Sequence, residues 1–488
     1  MNTMTLFPSQ YVEEAAVARP AAPPVAARHP RAGLSRRVTP VRRALAGAAA
    51  YVLILMGVGT ELVTGIGILG LAVLVLALSI ERYGAVMSLL AAANLAVTVI
   101  LVHPELVAMP VLAAVSQLLV LLLLACEPCI GAETDVIRLK NRRAVLGVTL
   151  AGGGIVEFRL SSSPLNPLNW TIHGLEPVEA DKPYLRGHFL CLDRWGAPSQ
   201  AEAQRGVPFH GEAPRINWQL TRAPKADDEY PHLQMGCKMP LAGLSVVRRI
   251  ALSRRTSVAW VHEEVTNTRK LGRIYNMVQH PSIAAPFLDE TTLVDSNATL
   301  GFSQEGEVPA GSGSASSWPR MVIQEQAVDL RQFRSNESDG AAHDVSSFVF
   351  DSKTEVGWVT AVNPKAELLL GYTWQTKDYP WLNIWRHREN GRVKSRGLEF
   401  GTTGLHQPFG ILVGRGRIFD RPLFSFIDAG ASVSRDYMMF VAAVPRGYAG
   451  VARIVVDKKQ SQLVLFERSH GKRRIVLPFD LPVPPPTK

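Results

Sequence analysis

Three polar tracts hold residue types able to move protons or to grip an oxygenated ligand. The first runs Arg186-Gly187-His188, Cys191-Leu192-Asp193-Arg194-Trp195-Gly196 and Pro208-Phe209-His210-Gly211-Glu212-Ala213-Pro214-Arg215, with Trp218 behind it. The second joins Thr266-Asn267 to Gln279-His280-Pro281 and Pro286-Phe287-Leu288-Asp289. The third extends from Tyr379-Pro380-Trp381 through Trp385 to Gly397-Leu398-Glu399-Phe400-Gly401-Thr402-Thr403-Gly404. Glu399 stands alone in a Gly-flanked apolar stretch, where an unpaired carboxylate is costly to bury and is therefore a candidate for chemistry. A carboxylate and an imidazole can divide acid and base work near neutral pH without a metal. Other readings stay open: His280 before a proline as a capping or loop residue, Glu399 as half of a structural salt bridge to an arginine, and at least half of the nine tryptophans as core.

The elements that must position these residues read as strands. From Val145 onward, short β-rich runs recur between Gly, Pro, Asn and Asp: Gly154 to Leu160, Val246 to Leu252, Ser257 to Val265, Glu355 to Val362, Ala366 to Trp374, Tyr437 to Ala443, Val451 to Asp457 and Gln462 to Glu467. No helical periodicity competes with them, and strands at this spacing predict an all-β fold, a large antiparallel β-sandwich over residues 145–478. One interruption, Gly301 to Pro319, contains Gly311-Ser312-Gly313-Ser314-Ala315-Ser316-Ser317 and reads as a mobile surface loop, with a lid over a binding site as the sharper alternative.

Taken in order, the tracts resemble the aldose epimerase (galactose mutarotase-like) superfamily, especially its hexose-phosphate mutarotase branch, over residues 145–470. Arg186-Gly187 is similar to that family's Arg-Gly-Gly loop, and His210-Gly211 with Arg215 and Trp218 to its His-Gly-Phe-Ala-Arg tract. Asn267 and His280-Pro281 resemble its strand-end Asn and later His-Pro, while Leu398-Glu399 falls where the family carries a C-terminal catalytic glutamate. The sequence departs from the pattern at His188, which replaces a glycine, and at Pro214, which moves the arginine one place further from His210. The resemblance implies an isomerase that interconverts the anomers of a hexose or a derivative, with Glu399 as base and His280 as acid. It also implies that His210, Arg186 and Arg215 bind hydroxyls or an anionic substituent, and that Trp195, Trp381 and Trp385 offer apolar faces to the sugar. The partner is a sugar, and no cofactor or metal is needed. The departures leave room for a carbohydrate-binding or sensing module without catalysis.

The N-terminal part has a different composition. Residues 1–43, rich in Ala, Pro and Arg, read as a disordered basic arm. Residues 44–130 hold four apolar segments, at 44–60, 62–80, 84–102 and 106–126, each close to the ~20 residues of a membrane-spanning helix. A count of two or three spans stays open, whereas four spans with flanking arginines place both ends on the cytoplasmic side. The expectation is thus a multi-pass protein of a bacterial inner membrane, with the lipid bilayer as a partner. That placement of arginines accounts for much of the net charge of +10. No dense basic run with interleaved aromatics points to nucleic acid. Of the four cysteines, Cys126 and Cys129 form a CxxC with no second pair, read as incidental thiols, and Cys191 and Cys237 read as buried small hydrophobes.

Overall fold

The computed structural model describes residues 136–172, 183–334, 343–468 and 473–481. They build an all-β, antiparallel structure in which two large sheets face each other. Along the path of the first sheet, the strands Ala144–Thr149, Ile155–Leu160, His188–Asp193, Arg273–Ala284, Arg392–Gly401, Trp381–Glu389 and His343–Val349 lie side by side, among others. The second sheet runs from Leu293–Ser296 through Val356–Asn363, Leu368–Gln375, Ser432–Ala443, Val258–Asn267 and Leu244–Leu252 to His232–Met239 and Gln219–Arg222. Every run marked as β-rich in the sequence falls on one of these strands or on the pair Val451–Asp457 and Gln462–Glu467.

Pleating decides which residues fill the space between the sheets, because successive side chains of a strand point to opposite faces. Leu190, Leu192, Met277, Ile283, Leu382, Ile384, Leu398 and Phe400 of the first sheet pack against Val246, Ile250, Val261, Tyr372, Met439 and Val441 of the second. Their alternate neighbours Phe189, Cys191, Val278 and Trp385 turn to the outer face of the first sheet and form a separate cluster with Trp170, Leu185, Trp195 and Val345. Cys191 and Cys237 are buried free thiols.

A polar brace crosses the inner space. Arg248 donates to Glu263 at 2.6 Å, both side chains fully buried. Gln279 donates to Glu263 and, at 3.1 Å, to the Tyr379 hydroxyl, while its carbonyl oxygen lies 3.1 Å from His188 Nε2. These bonds hold the Arg273–Ala284 strand at the residue next to His280.

A small third sheet, Val451–Asp457, Gln462–Glu467 and Arg474–Pro478, extends the two-sheet expectation. Its Val451, Ile454, Leu463 and Leu465 pack against Val258, Trp260, Trp358, Leu369 and Phe440 of the second sheet. Buried Asp295 ties the layers by accepting from Arg331 Nε at 2.6 Å, Arg468 Nη2 at 2.9 Å and Val451 N at 2.8 Å. The strand Val136–Lys140 pairs with Ala144–Thr149, so sheet structure is present before residue 145. The segment expected to be a loop from Gly301 is part of the first sheet at both ends: Leu300–Ser303 pairs with His343–Val349 and with Ser316–Ser317.

The expected transmembrane helices are not found in the described structure. Among the described residues no helix is long and apolar enough to cross a membrane. The basic arm, the four apolar segments, and Cys126 with Cys129 lie outside the described residues.

Candidate functional site

Cross-strand register assembles the site. His188–Asp193 pairs with Arg273–Ala284 so that Phe189 lies opposite His280. On the other side, Gly397 pairs with Ser282 and Phe400 with Gln279, which sets Glu399 across from His280. Asn383 pairs with Glu399 in turn. One row across four strands therefore reads Phe189, His280, Glu399, Asn383. Residues opposite each other in an antiparallel pair have Cβ atoms about 5 Å apart, near enough for direct side-chain bonds.

His280 Nε2 lies 3.1 Å from Glu399 Oε1. The other carboxyl oxygen, Oε2, accepts from Trp195 Nε1 at 2.7 Å. His280 Nδ1 meets Ser282 Oγ at 3.0 Å, and the Phe189 ring stacks on the imidazole at 4.2 Å. Glycine at 397 leaves room for the carboxyl: a Cβ there would sit 2.7 Å from Glu399 Oε1 and 3.0 Å from Trp385 Cβ. Among the described residues Glu399 has no arginine partner, and its carboxyl is held by an imidazole and an indole.

Two loops close over this pair. His210 and Gly211, at φ 65° and 79°, form a left-handed turn that brings the His210 ring within 5.3 Å of His280. His210 Nδ1 accepts from Gly196 N at 3.1 Å, which leaves Nε2 to carry the proton of the neutral ring. His406, on the loop after the Glu399 strand, meets the edge of Trp195 at 4.7 Å and the His210 ring at 5.5 Å. Its backbone N–H donates to Gln304 Oε1 at 2.8 Å, and Gln304 also grips Gly404 O at 3.2 Å and Ser347 Oγ at 2.9 Å. Phe209 lies against both imidazoles, 3.9 Å from His210 and 5.5 Å from His406.

Burial sets the protonation. It pushes the Glu399 carboxyl well above the usual carboxylate range, against the lowering effect of the Trp195 hydrogen bond. It brings His280 down to about 3. Both directions disfavour a separated ion pair, so the dyad holds one proton and no net charge. His210 is held well below its ordinary value by burial, then by the repulsion a charge on it would meet from His280, His406 and Arg215, and burial brings His406 to about 3. The site is a cluster of neutral imidazoles around a neutral carboxyl. Among the described residues, no group of three or more His, Cys, Asp or Glu side chains is arranged to hold a metal ion.

The other expected residues divide. Arg215 stands close enough for its charge to act on His210 and Cys191, and its buried Nε has no hydrogen-bond partner. Arg186 is turned to Tyr184, with Nη1 3.1 Å from the hydroxyl and the guanidinium 4.7 Å from the ring centroid, and to Thr149 Oγ1. Those contacts do not join it to the dyad. Trp195, expected to offer a face to the sugar, is instead 2% exposed and serves Glu399 through its N–H. Trp385 is also buried; its edge meets His280 at 6.0 Å and its Nε1 donates to His343 Nδ1 at 3.0 Å. Trp381 is core, packed with Phe302 and Leu405 and bonded to Pro422 O. Asn267 is structural: its amide donates to the carbonyls of Leu271, Ile427 and Asp428. Sequence reading missed His406, Phe189 and Gln304. The one available signal was His406 itself, seven residues beyond Glu399 on the same Gly-rich tract.

No family model matches the chain, and no curated protein matches it. Solved structures to which it is similar include a galactose mutarotase-like protein from Clostridium acetobutylicum, at 13% identity and TM-score 0.46 over 63% of this chain and 95% of that one. A galactose mutarotase related enzyme from Lactobacillus acidophilus is 10% identical with TM-score 0.44, over 64% and 98% of the two chains. A galactose mutarotase-like protein from Lactobacillus casei is 11% identical with TM-score 0.41, over 63% and 100%.

Proposed function

We propose that the outer-face site binds a hexose or hexose derivative and interconverts its anomers, as an aldose 1-epimerase does. The observation that carries this reading is the buried contact of His280 Nε2 with Glu399 Oε1, a one-proton pair with an acidic and a basic end. Anomer exchange needs both ends at once. The basic member takes the proton of the C1 hydroxyl, and the O–H electrons form the aldehyde C=O. As the C1–O5 bond breaks, the acidic member gives its proton to O5. After rotation about the bond to C1, the reverse transfers close the ring on the other face. The pair ends with the proton it began with, so neither cofactor nor metal enters the balance. With the resting proton on the carboxyl, Glu399 opens the ring as acid and His280 as base, and the two exchange these roles when the ring closes.

The full chain should accelerate exchange between α and β hexose signals in NMR saturation-transfer spectra, and Glu399→Gln should remove that acceleration while leaving the fold intact. Unchanged exchange in Glu399→Gln would refute the dyad.

One observation favours a second reading, a carbohydrate-binding module without turnover. Glu399 Oε2, Glu399 Oε1 and His280 Nδ1 are all engaged within the protein. Saturable sugar binding with no exchange above the spontaneous rate would select it.

A further inference from the structure

The proton chemistry above leaves two imidazoles of the site, His210 and His406, without a role. His406 lies one ring further from the dyad than His210 does: 5.5 Å from His210, which is itself 5.3 Å from His280. Its position is built. Gln304 fixes its backbone, Trp195 supports its edge, and glycine at 196 makes space, since a Cβ there would lie 2.8 Å from the ring. Neither ring nitrogen has a hydrogen-bond partner among the described residues, whereas His210 Nδ1 is committed to Gly196 N.

The two rings are complementary. With Nδ1 occupied, His210 has an Nε2–H donor to offer. His406, kept neutral by burial, has one N–H and one lone pair. A single hydroxyl group can accept from the first and donate to the second. A hydroxyl is donor and acceptor at once and satisfies both rings, so the pair is suited to an alcohol. In a cyclic sugar whose C1 and O5 face Glu399 and His280, the C2 hydroxyl is the one borne by the carbon bonded to C1, and the His210 ring lies 5.3 Å from His280.

We infer that His406 is a substrate-contacting residue which, with His210, grips the C2 hydroxyl, so that the site selects sugars bearing that hydroxyl over 2-deoxy sugars. The assignment rests on the epimerase reading and deepens it. His406 does no proton transfer to the reacting atoms, so its effect belongs to binding.

The experiment compares glucose with 2-deoxyglucose as substrates of the full chain, by NMR anomer exchange, for the natural protein, His406→Gln, His406→Asn and Glu399→Gln. The natural protein is expected to favour glucose in kcat/KM by roughly ten-fold or more, the scale of a lost buried hydrogen bond. His406→Gln should raise KM for glucose about ten-fold with kcat within about three-fold, and should bring the two sugars to near equality. His406→Asn, too short to reach the hydroxyl, should do the same. Unaltered KM and preference in both variants would overturn the inference, as would equal losses on the two sugars, the mark of a merely structural residue. Should neither variant fold, absence of preference in the natural protein overturns it alone, and presence supports it. Exchange lost in Glu399→Gln but insensitive to His406 leaves the epimerase reading standing without this one. Should the natural protein bind but not exchange, the same comparison is read as dissociation constants. If it neither binds nor exchanges either sugar, both readings fall.

Discussion

Trp195 Nε1 donates to Glu399 Oε2 at 2.7 Å across 204 positions of sequence, and so fixes the carboxyl whose other oxygen meets His280. The indole hydrogen bond pulls the Glu399 pKa down against burial, which pushes it up.

Trp195→Phe keeps the aromatic packing and removes that donor. The Glu399 carboxyl should then be harder still to ionise, and one hydrogen bond to a neutral carboxyl, about 0.5–1.5 kcal/mol, disappears. Anomer exchange should fall roughly ten-fold or more in kcat, with its alkaline limb moved to higher pH. A pH profile identical to that of the natural protein would show that the indole does not tune the carboxyl.

Gly397→Ala tests the space beside the carboxyl. The added methyl would sit 2.7 Å from Glu399 Oε1 and 3.0 Å from Trp385 Cβ, closer than real carbons approach. Displacement of Oε1 from His280 should lower kcat by about 10²-fold, the scale of a misplaced catalytic group. The melting temperature should fall as well, because Gly397 is buried between Glu399 and Trp385 and the added methyl has to displace one of them. Full activity in the variant would mean that Oε1 is not placed by Gly397.

His210 links the site to acid stability. Its folded pKa is depressed, first by burial and then by the repulsion a charge on it would meet from its neighbours. Below about pH 6.5 the unfolded chain takes up a proton that the folded site refuses. Stability contributed by this histidine is therefore present above that pH and lost as pH falls, with a slope of at most about 1.4 kcal/mol per pH unit. His210→Asn tolerates the left-handed backbone of this position and removes the titration. The natural protein should lose more urea resistance than the variant between pH 7 and pH 5. Equal losses would contradict the buried neutral state.

Arg248 and Glu263 form an ion pair with no exposed surface. Glu263→Leu leaves a buried guanidinium uncompensated and should destabilise the domain by about 3–5 kcal/mol in urea unfolding. Adding Arg248→Met should restore much of that loss, since a paired removal abolishes both desolvation terms. Without such recovery, the brace would have to act through Gln279 instead of through charge.

Strand alternation made the sandwich legible. The eight runs marked in the sequence lie on strands because each is short, β-branched or aromatic, and bounded by turn residues. The strands that build the site were not read as strands. In His188–Asp193, Arg273–Ala284, Trp381–Glu389 and Arg392–Gly401 both faces are buried, one in the sandwich and one in the outer cluster, and polar residues interrupt the pattern. Glu399 and His280 stood out by type, a lone carboxylate among apolar neighbours and a histidine in an ordered set of polar tracts.

Residue types and local spacing therefore carried the class of fold and singled out Glu399 as a lone carboxylate, since those depend on propensity and on the cost of burying charge, whereas the pairing of Glu399 with His280 and the place of His210 were expectations of the family resemblance. They could not reveal that Trp195 donates to Glu399 when it had been expected to face a sugar, that Trp381 is core, that Arg186 turns to Tyr184, or that His406 completes the imidazole cluster. Those facts depend on register between strands more than a hundred residues apart and on the path of loops held by Gln304 and Gly196. A one-residue slip in register would turn every such side chain to the opposite face, and only the packed sheets exclude it.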